Sequence, residues 1–107
     1  MINRYMRLFV FFDLPVVSEL EKYNYRKFRE FLLDNGFIMI QYSVYIRICR
    51  NQDDLVKQTN RIKKNCPIKG NIRLLQITEN QFENMEIIRG EQKEEEKYSI
   101  DPLIVIE

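Results

Sequence analysis

Between Met6 and Pro15 the chain reads MRLFVFFDLP, and apolar residues fill both alternating sets of positions. Met6, Leu8, Val10 and Phe12 fall on one side of an extended chain, and Arg7, Phe9, Phe11 and Asp13 on the other. A strand with one wet face alternates apolar and polar residues, so this pattern predicts a central strand covered on both sides. Pro15 has no N–H for a sheet ladder, which ends the strand near Asp13 or Leu14 and leaves the Asp13 carboxylate at its C-terminal rim. Two readings of that acid stay open here: a turn residue at the strand exit, or a functional group presented there.

Ser18 and Glu21 have the spacing of a capping box, which predicts a helix after the strand. Tyr25, Phe28, Phe31 and Leu32 supply its buried stripe, Lys22, Arg26 and Arg29 line another face, and Gly36 ends it. From Ile38 to Ile48, alternation of Ile38, Ile40, Tyr42, Val44, Ile46 and Ile48 with Met39, Gln41, Ser43, Tyr45 and Arg47 predicts one long second strand. Asn51 and Asp54 open a second helix, with Leu55, Thr59, Ile62 and Cys66 on its buried side and Lys57, Arg61 and Lys64 on a basic one; Pro67 stops it. KGNIRLLQIT is the expected third strand, ENQFEN a turn and MEIIRG a short fourth strand.

This order predicts an α+β fold of ferredoxin-like type, βαβ followed by αββ, with one sheet carrying two helices on one face. Residues 1–90 are expected to form that domain. Residues 91–107 are expected to comprise an acidic linker and an extra C-terminal strand in which Leu103, Ile104, Val105 and Ile106 dock on a partner's edge. The sheet face away from the helices would leave Phe9, Phe11, Met39 and Tyr45 uncovered, so a homodimer is expected to bury them. A two-fold axis there could bring the two Asp13 side chains together.

Charge sharpens this picture. Residues 1–74 hold 14 Lys and Arg against 7 Asp and Glu, a net +7, while residues 75–107 hold 3 against 9, a net −6. The overall +1 therefore hides a basic body beside an acidic tail, the distribution of a polyanion binder. Arg26, Lys27, Arg29, Lys63, Lys64 and Lys69 are the candidates for phosphate contact, with a solvated surface as the competing account of the same charges. Histidine is absent, so hydrolysis would need a carboxylate or a metal-activated water. Cys49 and Cys66 have no metal-ligand spacing and are expected to be reduced, partly buried thiols. No run reaches transmembrane length and no leader pattern opens the chain, so a cytoplasmic protein with no membrane partner is expected.

In FVFFDLP, YRKFREFLLDNGF, QYSVYIRI and KGNIRLLQIT with its trailing ENQF, the chain resembles the CRISPR-associated protein 2 family. The likeness runs from Arg4 to Gly90, with four segments in register, and is most similar to the type II (II-A-like) form. It implies a ferredoxin-like homodimer that bridges CRISPR integrase dimers and holds double-stranded prespacer DNA during spacer acquisition. Metal-dependent endonuclease activity on RNA or double-stranded DNA is also described in the family. The resemblance makes Asp13 the catalytic residue and magnesium ligand, with Mg²⁺ the implied cofactor, and has the C-terminal segment docking on a partner's sheet or on the integrase. Family members often carry Tyr before this Asp, where this chain has Phe12; that removes a hydroxyl near the expected metal. The alternative class is a ferredoxin-like nucleic-acid or small-ligand module with no role in adaptation. Against it, NIRLLQIT lacks the stacking aromatics of an RNA-recognition domain and the chain holds 3 glycines, too few for the Gly-rich turns common in ligand sensors.

Overall fold

The computed structural model describes residues 5–92 and residue 96. In order, the elements are β1 (Met6–Asp13), α1 (Glu19–Asp34), β2 (Ile38–Gln41), β3 (Val44–Cys49), α2 (Gln52–Asn65), β4 (Asn71–Thr78) and α3 (Glu79–Glu83). The sheet order is β2-β3-β1-β4 with every neighbouring pair antiparallel, so the doubly greasy strand β1 is central as expected. The arrangement is ferredoxin-like. No helix among the described residues is long and apolar enough to cross a membrane.

Both long helices start where local chemistry sets them. The Ser18 hydroxyl accepts from the Glu21 N–H at 3.1 Å, and the Glu21 carboxylate accepts from the Ser18 N–H at 3.0 Å. Asn51 caps α2 in the same sense, its side-chain oxygen accepting from the Asp54 N–H at 2.8 Å. Phe28 and Leu32 of α1 and Leu55 and Ile62 of α2 are buried against Leu8, Val10, Phe12, Tyr45 and Cys49 of the sheet. Phe12 is the aromatic centre of that layer, edge-on to Phe28 at 5.2 Å and stacked on Tyr45 at 5.6 Å between ring centroids.

Three expectations are corrected. The predicted long second strand is a hairpin: β2 and β3 reverse at Tyr42 and Ser43, and Ser43 takes the left-handed φ of 61° that the tight reversal requires. The segment MEIIRG is not a strand, and the expected ENQFEN turn contains α3, capped by Thr78 and Gln81. Cys66 is exposed, whereas Cys49 is buried. The expected C-terminal strand, Leu103, Ile104, Val105 and Ile106, lies outside the described residues.

The second sheet face is also less open than the pattern implied. Phe9 is only 6% exposed within one chain, because Phe82 of α3 packs on it with Ile46. A buried ion pair holds α3 in place. Arg7 donates from Nε to Glu79 Oε1 at 2.7 Å and from Nη2 to Glu79 Oε2 at 2.6 Å, and its guanidinium lies 3.9 Å from the Phe82 ring centroid.

Register decides which residues share that face. Val10 pairs with Tyr45, and Tyr45 with Met39, so both belong with the helix-side core; Tyr45 is 1% exposed there. Met39 and Tyr45 are therefore withdrawn from the uncovered face. Phe9 pairs with Ile46, and Ile46 with Ile38, so the second face is built instead from Phe9, Phe11, Ile38, Val44, Ile46 and Ile77. Reversal at the hairpin sets this register, which alternation along an assumed single strand cannot give.

Candidate active site

Asp13 ends β1 and is exposed, on the side of the sheet to which Phe9 and Phe11 point. Its cross-strand partner is Asn71, the first residue of β4. The approach of the preceding loop is set by Gly70, whose φ of +99° and close packing leave no space for a side chain. A Cβ at that position would stand 2.7 Å from both the Asp13 carbonyl oxygen and Leu14 Cδ2. On the other flank, the Phe12 N–H donates to the Ser43 carbonyl at 3.1 Å, tying the β2–β3 turn to the end of β1.

These three chain segments close around one shallow depression lined by Phe11, Asp13, Tyr42, Ser43, Asn71 and Arg73. Asp13 carboxylate, Asn71 amide and Ser43 hydroxyl oxygens are hard donors, the chemistry that suits Mg²⁺, which accepts one or two carboxylates and fills its remaining positions with water and phosphate oxygens. Among the described residues no group of three His, Cys, Asp or Glu side chains lies together. A single chain thus brings one carboxylate to this rim. Beneath the turn, the Tyr25 hydroxyl has its pKa raised by burial and by hydrogen bonding with Tyr42, while Ser43 pulls it the other way.

Phe12, where a Tyr hydroxyl was expected to be missed, has its ring in the helix-side core, on the opposite side of the strand from Asp13. A hydroxyl there would enter the Phe28 and Tyr45 cluster. The departure from the family pattern thus bears on core packing more than on the rim.

The basic candidates lie elsewhere. Arg26, Lys27 and Arg29 are exposed on α1, with Arg26 and Lys27 flanking the Tyr23 ring at 5.8 and 5.7 Å. Lys63 and Lys64 occupy the last turn of α2, and Lys69 lies in the following loop beside Leu20 and Glu21 at the start of α1. They share the helix layer and are not gathered around Asp13. Sequence reasoning missed Tyr42, Asn71 and Arg73 as neighbours of Asp13. A signal existed: in a ferredoxin-like order the last strand runs antiparallel beside the first, so its opening residues must meet the end of β1.

Comparison with known proteins bears on the family of the chain. Residues 6–85 match the family model described as CRISPR associated protein Cas2. A Lacticaseibacillus rhamnosus protein named CRISPR-associated endoribonuclease Cas2 is 40% identical over 101 residues, covering 94% of this chain and 100% of the relative. An Acidovorax ebreus protein of the same name is 47% identical over 85 residues, covering 79% of this chain and 83% of its own. A solved structure titled "Crystal structure of cas2" superposes with a TM-score of 0.57 at 16% identity, covering 84% of this chain and 92% of the other, a likeness of fold. On the family match and these identities, the chain belongs to the CRISPR-associated Cas2 family.

Proposed function

We propose that this chain is a CRISPR-associated nuclease subunit that works as a homodimer, with the Asp13 carboxylates of two copies facing one nucleic-acid phosphate. The observation that carries this reading is the position of Asp13: exposed at the C-terminal rim of the central strand, among oxygen donors and beside the less covered, apolar end of the second sheet face. Leu75, half exposed on that face, and Phe11 give a second copy an apolar seat next to the acid. The curated relatives carry the name endoribonuclease, which supports phosphodiester hydrolysis as the reaction class.

Asp13 would hold Mg²⁺, with the Asn71 and Ser43 oxygens able to hydrogen-bond around it. When bound, the ion supplies Lewis-acid polarisation of the phosphate. The chain's own contribution is placement, since the Gly70 contact fixes the Asp13 backbone and the Ser43 carbonyl fixes that of Phe12.

A second role rests on a different surface. The exposed Arg26, Lys27, Arg29, Lys63, Lys64 and Lys69 form a basic helix layer that can take duplex phosphates without involving Asp13. In that role the dimer holds double-stranded prespacer DNA between integrase dimers during spacer acquisition.

Asp13→Asn keeps the size and polarity of the side chain and removes its charge. With wild type and variant both dimeric by light scattering, cleavage of labelled RNA and duplex DNA in Mg²⁺ should be lost in the variant. Undiminished cleavage would overturn the nuclease reading. In reconstituted integration with the cognate integrase, Arg26→Glu with Arg29→Glu should abolish spacer insertion; insertion at the wild-type level would remove the helix layer from that role.

A further inference from the structure

Two exposed side chains belong to the Asp13 rim, those of Arg73 and Tyr42. Arg73 is exposed, opposite Phe11 on β4, two residues beyond the Asn71 that faces Asp13. It forms no ion pair among the described residues, whose ion pairs are those of Arg7, Lys22 and Arg47. Tyr42 stands at the tip of the β2–β3 hairpin and is 76% exposed, a large aromatic ring left in water. The turn that carries it is tied to the end of β1 by the Phe12 N–H, which donates to the Ser43 carbonyl. An exposed ring on an anchored turn is a platform whose ordering cost has already been met within the fold.

We propose that Arg73 and Tyr42 form a clamp for one nucleotide of a single strand: the guanidinium takes the phosphate beside Asp13 and the Tyr42 ring stacks on the adjoining unpaired base. This deepens the nuclease reading and rests on it for the role of Asp13. The two residues line the same depression as Asp13, so a strand held by both passes over the acid. A planar guanidinium forks onto phosphate oxygens, and an aromatic face accepts any base that is not already stacked in a duplex. Stacking of this kind makes the site selective for strand state and tolerant of sequence. Duplex DNA, its bases occupied, would gain from Arg73 only.

Binding read by fluorescence anisotropy, in EDTA so that no cleavage intervenes, separates these contributions. The probes are end-labelled 12-nucleotide RNA, DNA of the same sequence and the matching DNA duplex. Tyr42→Ala should weaken both single strands about tenfold and leave the duplex unchanged, while Tyr42→Phe binds as wild type. Arg73→Ala should weaken all three probes and reduce the slope of log K against log salt by about 0.7 to 0.9, one phosphate contact. Arg73→Lys should restore the salt slope and only part of the affinity. Equal losses on single strand and duplex from Tyr42→Ala, or no loss in either alanine variant, would overturn the clamp, as would a wild type that does not hold single strands. The clamp and the nuclease reading fail separately. Cleavage lost in Asp13→Asn with binding unchanged in both clamp variants refutes the clamp alone. Clamp variants that lose binding in a protein without Asp13-dependent cleavage refute the nuclease reading alone.

Discussion

Replacing Glu79 by Ala removes one half of a pair that is withdrawn from water on both sides, the Arg7 and Glu79 side chains being 2% and 8% exposed. Two charge-assisted hydrogen bonds, at 2.7 and 2.6 Å, are lost together. The guanidinium then stays buried over the Phe82 ring without its Glu79 carboxylate, keeping the Nη1 bond to the Glu96 carbonyl at 3.4 Å, and stranding one member of a buried pair costs about 3 to 5 kcal/mol. Against a typical stability of about 5 to 15 kcal/mol this is a large fraction. Near this chain length it lowers Tm by more than about 10 °C. The assay is urea and thermal unfolding followed by circular dichroism at one fixed protein concentration, since self-association would also shift the midpoint. The double variant Arg7→Met with Glu79→Leu keeps the volume and removes both charges, and should return to within about 2 kcal/mol of wild type or exceed it. A Glu79→Ala loss below about 1 kcal/mol would refute the argument. So would a double variant no more stable than the single one, because the damage would then lie in lost packing and not in a stranded charge.

Two further outcomes follow from local geometry. Gly70→Ala places a Cβ 2.7 Å from the Asp13 carbonyl oxygen at a φ of +99°, so it should cost on the order of 2 kcal/mol or more in urea unfolding and disturb the rim that carries Asp13; a neutral result would mean the loop yields freely. A thiol reagent at pH 8 should modify Cys66 in the folded protein and Cys49 only after unfolding, because burial, with the charge of Asp54 adding and Arg47 opposing, pushes the Cys49 thiol up to about 11. The folded state thus holds the Cys49 proton more tightly than the unfolded chain does. Its contribution to stability is complete below about pH 9 and falls as pH rises toward 11, a decline that Cys49→Ser should flatten.

Much of the frame could be seen in one dimension because its signals are local. Apolar residues on both sides of Met6–Asp13 announced a central strand, Ser18 with Glu21 announced the start of α1, and Asn51 with Asp54 announced that of α2. The hairpin escaped because Gln41, Tyr42, Ser43 and Val44 continue the alternation straight through the reversal, with no Gly, Pro or Asn to mark it. With the hairpin missed, Met39 and Tyr45 went to the wrong face, since register is a property of two strands and not of one. Short α3 did leave a trace in the Thr78 and Gln81 capping box. The burial of Glu79 left none, for its partner Arg7 lies 72 residues earlier. Asp13 stood out by its position after an apolar run, whereas Arg73 and Tyr42 join it only through strand pairing and a turn.

The central place of β1 also fixes when the rim can exist during synthesis. Its first neighbour, β3, ends at Cys49, but β4, which supplies Asn71 and Arg73, pairs with it across more than half the chain. A ribosome that has released only the first 70 residues displays β1 with one flank bare and Asp13 with neither of those partners. Closing so long a loop is slow compared with forming the helices before it, so the last strand of the sheet is the step that completes the acid's surroundings. The buried pair closes after that strand, because Glu79 follows β4 directly and meets an Arg7 made 72 residues earlier, and the Arg7 contact with the Glu96 carbonyl comes later still. A nascent chain accordingly carries the Asp13 carboxylate long before it carries the Asn71 and Arg73 that stand beside it in the folded sheet.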